Sequence, residues 1–203
     1  MKTTVIHFED LIDEVARELY ELFRHQYPGI ANDPDLSWRF VSYIEPKKDD
    51  GRTPKPRSPA SVAAEAASLI SQDRPNRLIL ITDLCFTSSP TSPNGCDMLS
   101  HLATDMSTDH SSNLWVANVS DLVNHKEILV IFLTAYGLRL TSTIQRHSAW
   151  RGVHVRVVNQ PKKLTVPNAL KEIAQEGPVV VYVDRGIDKP WTVNLIAQWI
   201  RRP

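Results

Sequence analysis

Two apolar runs of strand length constrain the fold of this chain more than any other feature. Residues 77–82 read RLILIT and residues 128–133 read ILVIFL. Neither run approaches the roughly 18 apolar residues that a membrane-spanning helix needs. A strand that is apolar on both faces is typical of a parallel sheet covered by helices on its two sides. The two runs therefore predict an α/β fold.

Shorter segments with strand or helix periodicity alternate around these runs. Further strands are predicted at 5–8, 38–44, 153–158 and 178–183, and helices at 11–23, 61–71, 98–106, 140–150, 166–175 and 191–200. Residues 114–117 are interpreted as an extra short strand or an insertion. The alternation predicts a doubly wound, mostly parallel sheet with helices on both faces. We expect one domain over 1–203, with a five-stranded core, a polar insertion at about 45–60, and a C-terminal extension at about 177–203 that adds a strand and a helix.

The composition excludes several classes of protein. Lys and Arg together number 23, as do Asp and Glu, so no basic excess favours nucleic acid as a partner. Glu9 and Asp10 interrupt the first apolar stretch, which argues against a signal peptide. Cys85 and Cys96 form neither a disulfide framework nor a C-x-x-C motif and are interpreted as ordinary thiols. We expect a cytoplasmic protein that binds neither nucleic acid nor membrane.

Polar residues follow the predicted strands at their carboxyl ends, where doubly wound sheets bind their ligands. Glu9 and Asp10 follow the first strand, Asp83 the third and Thr134 the fourth, and Lys162 comes shortly after the fifth. Converging carboxylates suit Mg²⁺, while a hydroxyl and an ammonium group can hold phosphoryl oxygens and an Asp can act as nucleophile. The pattern indicates phosphoryl chemistry at this edge. Within the first strand, His7 is interpreted as a packed side chain and not as a phosphodonor.

Four sequence blocks at these strand ends resemble the receiver domain of bacterial response regulators. They are VIHFED, LILITDL, VIFLTAYG and VRVVNQPKK, in the order of that family's first, third, fourth and fifth strands. The likeness covers roughly 3–175 with gaps and implies a flavodoxin-like fold. It also implies a two-component phosphorelay protein that receives its signal from a sensor histidine kinase or another signalling protein. Its implied output is pairing with itself or with a partner, and it implies no enzymatic activity beyond self-phosphorylation.

The resemblance gives each residue of the site a role. Asp83 is the implied phospho-acceptor, Thr134 contacts the phosphoryl group, and Lys162 pairs with a phosphoryl oxygen. The implied Mg²⁺ ligands are Glu9, Asp10, Asp83 and the carbonyl group of Cys85.

Departures from the family pattern leave a second interpretation open. Gln160 stands where the family has its Lys before Pro161, so that either Lys162 or Lys163 takes this role or the Lys is absent. The switch aromatic of the fifth strand is also missing at 156–158. Both departures fit a degenerate receiver that is not phosphorylated and that acts as a scaffold or interaction domain.

A haloacid-dehalogenase-like phosphatase is the other alternative. That family also has an Asp, a Thr, a Lys and late acids in this order, which are matched by Asp83, Thr134, Lys162, Asp184 and Asp188. It requires a second Asp two residues after the nucleophile as general acid. This chain has Cys85 there, which argues against the phosphatase.

Overall fold

The computed structural model describes residues 1–9, 16–45, 55–83, 94–110, 112–133, 147–150, 156–157, 179–180 and 189–202. The strands are β1 (Thr3–Glu9), β2 (Leu36–Ser42), β3 (Arg77–Thr82), β4 (Ile128–Phe132), β5 (Arg156–Val157) and β6 (Val179–Val180). The helices are α1 (Arg17–Gln26), α2 (Pro28–Ala31), α3 (Pro59–Asp73), α4 (Asn94–Thr108), α5 (Val119–Asn124) and α6 (Lys189–Arg201), and Ser148–Trp150 forms a 3₁₀ turn. Among the helices of these ranges, none has the length and apolar character needed to cross a bilayer.

Four strands form a parallel sheet in the order β2-β1-β3-β4. Because β1 lies between β2 and β3, the topological switch point of the sheet falls between β1 and β3. β5 and β6 pair with each other in parallel. The prediction of an α/β fold with a parallel sheet is therefore confirmed. The five-stranded core and the extra C-terminal strand stay predictions, because most of 151–188 lies outside the described residues.

Helices cover both faces of the four-stranded sheet, which is consistent with a doubly wound fold. All seven residues of β1 are buried, and their side chains alternate between the two faces. The core on the side of α3, α4 and α5 includes Ile6, Phe8, Leu80 and Phe132. The core on the side of α1 and α6 includes Val5, Ile79, Ile81 and Leu129.

Local signals explain where the helices begin and end. Ser58 caps α3 by accepting a hydrogen bond from the amide of Ser61 at 3.2 Å, and α3 ends at Arg74 in the left-handed region with φ of 46°. Asn118 caps α5 in the same way through the amide of Asp121 at 3.1 Å. α5 was not expected from the sequence, and residues 114–117 form no strand. The predicted helix at 166–175 lies outside the described residues.

The C-terminal helix α6 docks against the amino-terminal edge of the sheet through Arg77. This side chain is 3% exposed, and its Nη1 donates to the carbonyls of Ile200 at 3.1 Å and Arg202 at 2.6 Å. Its Nε donates to Glu127 at 2.9 Å. Trp199 is buried, and the guanidinium carbon of Arg202 lies 3.4 Å from the centroid of its ring. The predicted C-terminal helix is therefore packed into the fold by Trp199 and by the hydrogen bonds of Arg77.

Candidate functional site

Two acidic residues lie at the carboxyl ends of the neighbouring strands β1 and β3. Glu9 is the last residue of β1, and Asp83 directly follows β3. The parallel register pairs His7 with Ile81, so Glu9 and Asp83, two residues further along each strand, are level with each other. Strand alternation assigns both to the face that α1 and α6 cover. Glu9 is 1% exposed and Asp83 is 3% exposed, so two carboxyl groups are buried beside the switch point.

Ser42 and Leu133 flank this pair of acids. Ser42 is the register partner of Glu9 on β2, and the amide of Leu133 donates to the carbonyl of Thr82 at 2.8 Å. We call the row Ser42, Glu9, Asp83 and Leu133 the carboxyl edge. Neighbouring strands are about 4.8 Å apart, so ionised carboxylates at neighbouring positions repel each other. Two neighbouring carboxylates are also the kind of oxygen ligands that a cation such as Mg²⁺ binds.

His7 lies one layer further into the same face. It is 1% exposed, its ring centroid is 6.2 Å from that of Phe40, and its Nδ1 has no hydrogen-bond partner among the described residues. Burial lowers the pKa of His7 from 6.5 to about 3, because the charged imidazolium would lose its hydration. His7 is therefore neutral at physiological pH and brings no positive charge to Glu9 or Asp83. This is the packed histidine that the sequence indicates.

On the opposite face, a hydrogen-bonded pair reaches the backbone of Asp83. The hydroxyl of the buried Tyr43 lies 2.5 Å from Oγ1 of Thr82, and this Oγ1 donates to the carbonyl of Asp83 at 3.0 Å. Sequence reasoning assigned Tyr43 to a strand and not to the site. The signal that could have identified it is its position, because a polar-tipped aromatic at the end of β2 is level with the ends of β1 and β3 in a parallel sheet.

The other residues of the predicted site lie outside the described residues. They are Asp10, Cys85, Thr134 and Lys162, together with the late acids Asp184 and Asp188. Of the predicted Mg²⁺ ligands, the structure therefore brings together Glu9 and Asp83. Within the described ranges, no group of three or more His, Cys, Asp or Glu side chains is arranged to hold a metal ion. Two carboxylates nevertheless match the number that Mg²⁺ takes from a protein, since it keeps several of its waters.

A second polar pair, which was also not predicted from the sequence, lies at the start of α4. Nε2 of His147 is 2.7 Å from Oδ1 of Asp97, which belongs to the first turn of α4. Nε1 of Trp150 donates to the carbonyl of Cys96 at 3.1 Å, and its ring meets Phe132 edge-on at 5.9 Å. Cys96 itself is buried at the start of α4. These contacts fasten the 3₁₀ turn to α4 and to the end of β4.

Comparison with known proteins found no match for this chain. No protein-family model, no curated protein and no solved structure matches the chain. The fold and the carboxyl edge therefore rest on the residues and distances given above, and the receiver resemblance rests on the four sequence blocks.

Proposed function

We propose that this chain is a receiver-like signal-transduction module of two-component type, which is phosphorylated on Asp83 with Mg²⁺ and switches a protein–protein interaction. The observation that carries the proposal is the level placement of two buried acids, Glu9 and Asp83, at the switch point of a parallel sheet. The strand order β2-β1-β3-β4 supports it, because these are the first four positions of the flavodoxin-like order 2-1-3-4-5.

Phosphoryl transfer fits the chemistry of the carboxyl edge. When bound, Mg²⁺ neutralises neighbouring carboxylates and coordinates phosphate oxygens, which lowers the barrier to bringing two anions together. A carboxylate oxygen of Asp83 forms a bond to the phosphorus atom of a small or protein-bound phosphodonor. The bond between phosphorus and the donor breaks, and the donor leaves with its electron pair. The product is an acyl phosphate on Asp83, held close to Glu9.

The sequence supplies the remaining parts of the proposal. Asp10 and the carbonyl of Cys85 are the further Mg²⁺ ligands, Thr134 contacts the phosphoryl group, and Lys162 pairs with one of its oxygens. The proposed phosphodonor is a sensor histidine kinase or another signalling protein in the cytoplasm. The proposed output is altered pairing with a second copy of the chain or with another protein.

A degenerate receiver that acts as a scaffold is the second candidate. Gln160 before Pro161 favours it, because the Lys expected at that place would stabilise the phosphoryl oxygens. The fold would be the same in both cases, so the two candidates differ only in whether Asp83 accepts a phosphoryl group.

Intact mass after incubation with Mg²⁺ and acetyl phosphate tests the proposal. We expect the wild-type chain to gain the mass of one phosphoryl group and Asp83→Asn to gain none. Asp105→Asn is the matched control, since Asp105 is a partly exposed aspartate of α4 away from the carboxyl edge, and it should react like the wild type. Glu9→Gln should react more slowly because one carboxylate of the proposed Mg²⁺ site is lost.

Other results would assign the chain differently. If the wild-type chain gains no phosphoryl group, the result would contradict phosphorylation on Asp83 and favour the degenerate receiver that acts as a scaffold. Continuous hydrolysis of a phosphate ester, abolished by Asp83→Asn, would contradict both receiver hypotheses and indicate a haloacid-dehalogenase-like phosphatase.

A further inference from the structure

A buried chain of hydrogen bonds runs from β2 to the backbone of Asp83. Tyr43 directly follows β2 and is fully buried, and its hydroxyl lies 2.5 Å from Oγ1 of Thr82. The same Oγ1 donates to the carbonyl of Asp83 at 3.0 Å. A threonine hydroxyl has one proton to donate, so Tyr43 is the donor of the first bond. The hydrogen bonds therefore run from Tyr43 through Thr82 to Asp83, and each bond polarises the next.

Tyr43 reaches across a whole strand to make this contact. β1 lies between β2 and β3, so the ends of β2 and β3 are separated by about 10 Å, or two strand spacings. The Tyr43 ring covers this distance above Phe8 of β1, with ring centroids 6.1 Å apart and ring planes inclined by 29°. Its amide also donates to the carbonyl of Glu9 at 3.3 Å. One residue thus contacts both strand ends that carry the buried acids.

The other side of Tyr43 is fastened to the segment that precedes α3. The amide of Arg57 donates to the carbonyl of Tyr43 at 2.7 Å, and the guanidinium of Arg57 donates to the carbonyl of Ser42 at 3.0 Å. Arg57 also forms an ion pair with Glu65 of α3 at 2.6 Å. These bonds fix the backbone from which the Tyr43 side chain extends.

We propose that Tyr43 is a positioning residue of the carboxyl edge, acting through Thr82 on Asp83. The Asp83 carbonyl that Thr82 holds determines how the backbone leaves β3, and with it the direction of the Asp83 Cα–Cβ bond. Without these two hydrogen bonds Asp83 stays at the end of β3, but the direction of its Cα–Cβ bond is no longer fixed. The inference rests on the proposed role of Asp83 and adds the residue that orients it.

Four variants separate positioning from ordinary packing. Tyr43→Phe removes the donor and keeps the ring, Thr82→Val removes the relay, and Thr82→Ser keeps the relaying hydroxyl. Tyr20→Phe is the matched control, because Tyr20 packs by its ring against Trp38 (5.1 Å) on the other face of the sheet. The first measurement records the chemical shift of the side-chain carboxyl carbon of Asp83 by NMR at pH 7 without added metal, in protein labelled at aspartate. The second is a calorimetric titration with Mg²⁺ alone.

We expect the carboxyl chemical shift of Asp83 to change in Tyr43→Phe and in Thr82→Val, and to change no further in the double variant. Thr82→Ser and Tyr20→Phe should keep the wild-type chemical shift. Mg²⁺ affinity should fall about fivefold in the first two variants, the equivalent of one ordinary buried hydrogen bond. A purely structural role would lower the free energy of unfolding and leave the Asp83 chemical shift unchanged, which would overturn the inference. A wild-type chain that binds no Mg²⁺ would contradict the proposed function, and the Asp83 chemical shifts would still decide the role of Tyr43.

Discussion

His7 makes the stability of this protein depend on pH, because its pKa differs between the folded and the unfolded chain. Its pKa in the folded chain is about 3, below the ordinary value of 6.5 that applies to the unfolded chain. Between these two values the unfolded chain binds one more proton than the folded chain, so acid favours unfolding. The stability from a neutral His7 is therefore complete above about pH 6.5 and is lost as the pH falls toward 3. The limiting slope is about 1.4 kcal/mol per pH unit.

Between pH 7 and pH 5 this linkage amounts to about 2 kcal/mol, a substantial fraction of the 5–15 kcal/mol that is typical of a folded domain. Urea unfolding of the wild-type chain and of His7→Leu at both pH values measures it. Leu removes the titrating group and keeps an apolar side chain of similar size in the core of β1. We expect the wild-type chain to lose about 2 kcal/mol more than His7→Leu over this interval.

Two further histidines define the controls for this experiment. His125 is partly buried, and desolvation also lowers its pKa, so it contributes to the acid sensitivity of both chains and cancels in the comparison. His101→Gln alters an exposed histidine of α4 and should keep the wild-type pH dependence. If His7→Leu loses as much stability as the wild type between pH 7 and pH 5, then burial does not keep His7 neutral in the folded chain.

Two predictions concern ion pairs that hold helices to the sheet. Arg77→Met should cost about 3 kcal/mol in urea unfolding because it removes one of the two arginine partners of Glu127, the other being Arg202, and takes the Arg77 donor from the carbonyls of Ile200 and Arg202. Arg24→Met at an exposed pair should cost less than about 0.5 kcal/mol. Asp73→Asn should cost about 1 kcal/mol at pH 7, a value reduced by solvent because Arg39, its partner, is 45% exposed. The Arg39 guanidinium lowers the pKa of Asp73 below 3.8, so this contribution is present above that pH and is lost below it. The unfolding free energies of wild type and Asp73→Asn should therefore converge in acid, and a constant gap would contradict the assignment.

The parts of the fold that could be predicted are those that a local pattern determines. The apolar runs at 77–82 and 128–133 became β3 and β4 within one residue, because a strand apolar on both faces requires helices on both sides. The positions of Glu9 and Asp83 at one edge followed from the same pattern, since residues that follow parallel strands emerge at the same edge of the sheet.

Strand order and contacts between distant segments could not be predicted, because they depend on how the elements pack. Tyr43 and Thr82 are 39 residues apart, and nothing near either residue indicates that they meet. Arg77 begins an apolar run as a charged residue, yet it is buried because carbonyls 123 and 125 residues further along accept its hydrogen bonds. The helix α5 is six residues long, too short for a clear periodic signal in the sequence.

The two edges of the sheet carry different arrangements of buried ionisable groups. Toward the amino-terminal edge, Asp73 faces Arg39 and Arg77 faces Glu127, and pairs of opposite charge offset much of the cost of burial. At the carboxyl edge two acids stand level on neighbouring strands, and the imidazole beneath them is neutral. Acidic residues on neighbouring strands at a switch point are characteristic of sites that bind a cation or another ligand. This difference between the edges supports the proposal that the site lies at Glu9 and Asp83.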